Sequence, residues 1–249
     1  MGALPAAGQW VRLELAARGL NLVDRNVTGV SLAVHSGKVW FDRVGKGTCT
    51  IPMAAQPALS PSEVVWFDDA TPAGATRSGT WLWDTQQRAS GTQSNVSPPA
   101  VGDVEYSFSA PSTPMNVGAD DTLTVYAMLD PCDPPREIML SWYDGSWNHR
   151  AYWGEDIWQH AGRHSMGALP APGEWVRLEV PASLVGVAGK TVTGLRFHVH
   201  SGKVWFDRGG LEPGTIAATS APSWSERLRG LGRRTIAGTG HRRRSAHAG

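Results

Sequence analysis

Between Asn148 and Trp158 the chain sets Asn148, Arg150, Tyr152, Trp153, Glu155, Asp156 and Trp158 within eleven residues, immediately after Trp147. A sugar ring asks for these side-chain types. Its C–H surface lies against a flat aromatic face, and its hydroxyls bond to amide, guanidinium or carboxylate groups around the rim. Trp147, Asn148, Arg150, Tyr152, Trp153 and Trp158 are therefore candidate ligand-binding residues. Core packing makes the same demand on tryptophan, and at least one of Trp142, Trp147, Trp153 and Trp158 is expected inside. The wider composition sharpens the point, with 12 Trp against 5 Phe and 4 Tyr. Trp81 and Trp83, one residue apart, project to the same side of any strand they occupy.

Other chemistries are less well supplied. His149, His160 and His164, with His198 and His200, invite a zinc reading, since histidines two apart share a strand face. Against it, a repeat of the segment keeps His200 as His35 and replaces His198 by Ala33. Glu137, Asp144, Glu155 and Asp156 offer carboxylate pairs of the kind glycoside cleavage uses, but any acidic β protein does. No G-x-S-x-G, P-loop, H-E-x-x-H or dinucleotide fingerprint occurs, so no enzyme is expected. The net charge is +1 and the body carries no basic stripe, which argues against a nucleic-acid partner.

The elements that must position these residues are short strands. Gly (29) and Pro (17) are frequent, and no long stretch has 3.6-residue apolar periodicity. Asp103–Ala110, Glu174–Val180 and Thr193–His200 alternate with period two. Thr122–Leu129 is a further strand, closed by the proline-rich loop Asp130–Pro135. Ile138–Tyr143, Asp144-Gly145 and Ser146–Trp153 read as a two-residue hairpin. That register pairs Trp142 with Trp147, Ser141 with Asn148 and Leu140 with His149, and brings Glu137 within diagonal reach of Arg150. Lys203–Asp207 follows a Ser201-Gly202 turn. Eight to ten strands of this kind predict an all-β, antiparallel sandwich.

Met1–Arg43 aligns without gaps to Met166–Arg208, with 26 of 43 positions identical. Self-similarity at long period means tandem modules. The expected organisation is a partial repeat over 1–43, a Gly/Pro/Ser/Ala-rich linker over 44–63, a complete module over 64–208 and a basic, disordered tail over 209–249. The first copy starts partway through a module, so Met1 is expected to be an interior residue of a longer reading frame or a truncation. Strands without partners leave unpaired edges, so residues 1–43 are expected to be poorly folded alone or to self-associate by pairing with another chain. Cys49 and Cys132 are the only cysteines, and nothing in the sequence fixes their distance. No membrane span and no signal peptide are visible.

The stretches VVWFDDATPAGA, GADDTLTVYAMLDPCDPP and KVWFDR resemble the jelly-roll modules of bacterial carbohydrate-binding and galactose-binding-like families. LSWYDGSWNHRAYWG resembles a unit repeated in large secreted bacterial surface proteins. The resemblance implies a jelly-roll-like, non-catalytic, glycan-binding module, secreted or at the cell surface, with polysaccharide as partner. It also implies a structural calcium shared by Asp207 with Asp68 or Asp69, helped by backbone carbonyls. A structural or adhesive spacer repeat, or a glycoside-active fragment, are the alternative roles.

Overall fold

The computed structural model describes residues 4–214, and every strand in it lies after residue 63. In chain order the strands are β1 (Val64–Phe67), β2 (Thr76–Ser78), β3 (Leu82–Asp84), β4 (Ser94–Val96), β5 (Ala100–Ser109), β6 (Met115–Asn116), β7 (Thr122–Leu129), β8 (Glu137–Tyr143), β9 (His149–Gly154), β10 (Arg163–Ser165), β11 (Trp175–Pro181), β12 (Thr191–Val192), β13 (Gly194–Gly202) and β14 (Val204–Glu212). The back sheet runs β11-β7-β14-β4-β3, with β1 also on β14, and the front sheet runs β10-β9-β8-β13-β5-β2. A two-stranded ribbon pairs β12 with β6. All pairs are antiparallel except β10 on β9. The fold is the all-β sandwich expected from the alternating segments.

Period-two alternation decides which side chains meet between the sheets. Leu123, Val125, Ala127 and Leu129 of β7, with Val204 and Phe206 of β14, face Ile138, Leu140 and Trp142 of β8 and Leu195, Phe197 and Val199 of β13. Phe197 lies at the centre, its ring 4.8 Å from Phe206, 5.1 Å from Tyr106 and 5.7 Å from Phe67. The outward residues of the back sheet are covered as well. Tyr126, Met128, Trp175 and Trp205 form a second buried cluster under Ile51 and Ala54.

That cover comes from the segment expected to be a free linker. The Gln87 side chain accepts from the Ala54 amide at 3.0 Å and donates to the Pro52 carbonyl at 2.9 Å. Cys49 is joined by a disulfide to Cys132 in the loop after β7, with Cα atoms 5.6 Å apart. Residues 51–62 are thus a strap held on the back sheet. Ahead of the strap, residues 4–43 form no strand and are almost wholly exposed.

Two further expectations need correction. The last strand continues past Arg208 to Glu212, because β1 pairs with it at Val64↔Leu211. Residues 209–212 are therefore strand; the rest of the expected tail, beyond Gly214, lies outside the described residues. The β8–β9 hairpin has a five-residue connection, 144–148, with Trp142 opposite His149 and Ser141 opposite Arg150. Asp144 does not take the positive φ that a two-residue turn of this type demands. Its carboxylate is drawn away instead by Lys190 Nζ at 2.7 Å, His149 Nε2 at 2.8 Å and the Ser146 amide at 3.2 Å. The shift is two residues, an even number, so each strand keeps its expected inner and outer faces.

Candidate functional site

The outer face of the front sheet carries three cross-strand rows over β9, β8, β13 and β5. They are Arg150–Ser141–Arg196–Ser107, Tyr152–Met139–His198–Glu105 and Gly154–Glu137–His200–Asp103. A core-facing row of this kind would be apolar; this one is almost entirely polar. The loop after β9 folds back over the lower rows. Glu137 anchors it, accepting from the Ile157 amide at 2.6 Å and the Trp158 amide at 3.3 Å. Burial raises the Glu137 carboxyl above the ordinary carboxylate range, although those two amides and the charges of Arg163 and His200 oppose the shift. The Trp158 indole lies 5.6 Å from His198 and 5.7 Å from His200. Gly162 closes the loop with φ +68, where an added Cβ would collide with the Asn148 carbonyl.

The upper row is bordered by the 144–148 loop. Arg196 stacks its guanidinium 4.1 Å from the centre of the half-buried Trp147 ring, which also meets Tyr143 at 4.9 Å. Asn148 is exposed beside them and accepts from Arg150 Nη1 at 3.1 Å. Arg150 Nη1 also bonds the Ala161 carbonyl, tying the two loops together.

Of the six residues expected to bind a ligand, the structure gathers Trp147, Asn148, Arg150, Tyr152 and Trp158 on this face. Trp153 is not among them. It points inward, is only 6% exposed and packs in the core, because it is on the opposite parity of β9 from Arg150 and Tyr152. Tyr152 is nearly buried beneath Arg163, whose guanidinium lies 5.3 Å from its ring. The expected Glu137–Arg150 contact is not made, since each is committed to a loop. Trp81 and Trp83 do share a side, stacked at 6.1 Å, but Trp81 packs against Tyr106 at 5.0 Å and belongs to the core margin. Sequence reasoning missed Arg196, Ser141 and Glu105, and considered His198 only as a metal ligand. Their alternation was visible, but not that β13 lies between β8 and β5.

Ser141 Oγ is 3.2 Å from His198 Nε2, and His198 Nδ1 is 3.4 Å from Glu105 Oε2. The order imitates a nucleophile, base and carboxylate. It lacks their chemistry. Ser141 is fully buried, and burial, then Arg196, His160 and Arg150, push the His198 imidazole down to about 3. A base needs a pKa near the working pH. Among the described residues no three His, Cys, Asp or Glu are gathered as a metal cluster.

Asp68 and Asp207 meet across Ser90. Asp207 Oδ2 accepts from the Ala89 amide at 2.8 Å and the Ser90 amide at 3.1 Å, while Ser90 Oγ donates to both Asp68 oxygens at 2.8 and 2.9 Å. Burial first, and the neighbouring Asp68 charge after it, raise the Asp207 carboxyl to about 7. Asp69 turns away and accepts from the Thr92 and Gln93 amides at 2.6 and 2.9 Å. Two converging carboxylates are the donor type a hard cation takes, but Asp68 also faces Arg208 Nη1 at 3.6 Å and Asp207 Oδ1 accepts from the Arg208 amide at 2.9 Å, so a cation would have to displace these donors.

Two surface cavities lie elsewhere. One of about 280 Å³ is lined by Arg18, Pro99, Asp133 and Lys203, and one of about 250 Å³ by Met53, Gln56 and Arg88. Among the described residues no helix is long and apolar enough to cross a membrane.

No protein-family model matches the chain, and no curated protein matches it. Among solved structures it is similar to carbohydrate-binding modules of the β-sandwich superfamily, at 14% identity over 60% of this chain and 61% of that one, with a TM-score of 0.40. It is similar to the CBM22-1 xylan-binding domain of Paenibacillus barcinonensis Xyn10C, at 12% identity over 62% and 97%, with a TM-score of 0.35. It is also similar to the glycoside hydrolase domain of Endo-D from Streptococcus pneumoniae R6, at 13% identity over 55% and 21%, with a TM-score of 0.35. The chain spans less than two thirds of the Endo-D and superfamily-module chains.

Proposed function

We propose that the outer face of the front sheet binds a polysaccharide, and that the chain is a non-catalytic glycan-binding module of a secreted or cell-surface protein. One observation carries this reading. Two half-buried tryptophans, Trp147 and Trp158, border a sheet face whose rows are polar where a packing surface would be apolar. The loop after β9 covers the lower rows, so a polymer would run along the upper row past Trp147 with Trp158 at its edge, whereas a small ligand needs a cavity. The buried, depressed His198 and inaccessible Ser141 support a role without turnover. The Cys49–Cys132 disulfide supports an oxidising compartment.

Affinity electrophoresis through gels containing plant and microbial polysaccharides tests the reading. Trp147→Ala or Trp158→Ala should weaken retardation at least roughly tenfold, about 1.4 kcal/mol, with the fold retained by circular dichroism. Retardation unchanged in both variants, or absent across a broad panel, removes it.

A structural calcium held by Asp68 and Asp207 belongs to the same proposal. It would neutralise the confronted carboxylates, and calcium added after chelation should raise the melting temperature of the protein but not of Asp207→Asn. An equal rise in both excludes the site.

A spacer or adhesive role is the second reading, favoured by the repeat of 26 residues in 43. It would have the exposed apolar residues of the first copy pair with another chain, and it requires no retardation in any gel.

A further inference from the structure

We propose that the glycan taken by this face is acidic, with a sugar carboxylate or sulfate seated against Arg150 and Arg196. The inference rests on the glycan-binding reading and names its ligand class.

Among the described residues Arg150 is the one buried arginine, at 8% exposed, and no carboxylate oxygen of those residues lies within 4.0 Å of it. Most other arginines of the sandwich are paired, Arg77 and Arg88 excepted. Arg177 and Arg208 reach Glu63 at 3.3 and 2.7 Å, Arg136 and Arg163 reach Glu155 and Asp156, and Arg196 reaches Glu105 at 3.0 Å. A buried charge without a counter-charge is costly, and proteins ordinarily pair it.

The side chain is also under-used. Arg150 Nη1 serves Asn148 and Ala161, but Nε is buried with no hydrogen-bond partner. Guanidinium presents five donors in a planar fork, so a role confined to tying two loops leaves most of the fork idle. Arg196 repeats the pattern in the same cross-strand row, with Ser141 between them and its own Nε buried and unpartnered. Their backbones stand two strand spacings apart, about 10 Å; burial and then the Arg196 charge disfavour the charged Arg150, and the carboxylate that opposes them, Glu105, is already paired with Arg196. Carboxylate and sulfate match the guanidinium fork, and the Trp147 ring under Arg196 holds that fork in one plane. The exposed Asn148 amide, which accepts from Arg150, is placed for a sugar hydroxyl.

Retardation of the full chain is compared in gels of polygalacturonate, fully methyl-esterified polygalacturonate, carrageenan and neutral galactan. Acidic gels should retard it at least roughly tenfold more than neutral or esterified ones. Preference for polygalacturonate assigns the carboxylate, and preference for carrageenan assigns the sulfate. The arginines after Leu211 also draw polyanions, so the deciding variant is Arg150→Gln, which leaves them in place. It should lose that preference, with Arg196→Gln as the second variant if Arg150→Gln does not fold. Equal retardation by neutral and acidic gels, or a preference untouched by both folded variants, overturns the acidic assignment and leaves the glycan reading standing. No retardation in any gel overturns both.

Discussion

Residues 8–43 and 173–208 are aligned copies, identical at 20 of 36 positions, in two environments. In the second copy the strands β11, β13 and β14 are paired and their apolar residues buried; in the first copy no strand forms. Trp205 is 1% exposed and its counterpart Trp40 is 65% exposed; Trp175 and Trp10 stand at 7% and 73%. Yet the backbone kinks survive in both. Gly8 and Gly173 have φ of 80° and 87°, Ser36 and Ser201 62° and 58°, Gly37 and Gly202 89° and 72°, Arg43 and Arg208 52° and 38°. Turns are specified by the residues that make them, through local sterics and local hydrogen bonds. Strands are specified only together with a partner edge and a face to bury. Within this chain β5, β7 and β8 already pair with the second copy, so the first copy has the pattern and lacks the ladder.

The largest test of that difference is a matched pair of truncations. Trp205→Ala should destabilise the sandwich by about 3–5 kcal/mol, as for other buried aromatic residues, while Trp40→Ala stays within about 0.5 kcal/mol. Urea unfolding reads both. A comparable loss in Trp40→Ala would mean that the first copy is part of the same core. Next in size is the strap. Cys49→Ser, or reduction of the disulfide, should cost about 2–4 kcal/mol, the usual range for a bridge closing a long loop. Limited proteolysis, which should spare residues 51–62 in the oxidised protein, should then extend into them. Resistance of the strap after reduction would show that Ile51, Ala54 and the Gln87 bonds suffice without the bridge.

The same distinction between local and distant causes explains what the sequence disclosed. Alternation in β5, β7, β8, β11 and β13 was legible, because period two is a property of each strand alone. Even the mistaken hairpin register kept the inner and outer sides of β8 and β9, so Arg150 and Tyr152 fell on one surface; Trp147, which that register placed inward beside Trp142, reached it only because the 144–148 loop carries it there. The register itself depended on Lys190, a residue distant from the hairpin in sequence that holds the Asp144 carboxylate. The Cys49–Cys132 bridge and the strap depended on Gln87 and the back sheet. Strands of three residues such as β2, β3 and β4 are too short for alternation to register. Arg150 was visible as a candidate, but its kinship with Arg196 existed only once β13 was seen beside β8.

The finest comparison turns on a single difference between the copies, Ala33 against His198. Burial and the nearby Arg196, His160 and Arg150 hold the folded imidazole at about 3, below its ordinary 6.5. A histidine depressed in the folded state binds more protons when unfolded. The stability it contributes is therefore complete above about pH 6.5 and is lost as pH falls towards 3, with a slope of at most about 1.4 kcal/mol per pH unit. His198→Ala, the residue the first copy carries, should remove that acid limb. Asp207 acts in the opposite sense: raised to about 7, it contributes stability that is present below about pH 4 and lost as pH rises through 7. That limb is common to both proteins, and it cancels when the pH profile of the variant is subtracted from that of the parent. The difference profile from chemical unfolding in chelator between pH 4 and 8 should then rise with acidity alone. A flat difference would mean that His198 keeps its ordinary pKa, and that the face above it is open to water rather than covered by Trp158 and the returning loop.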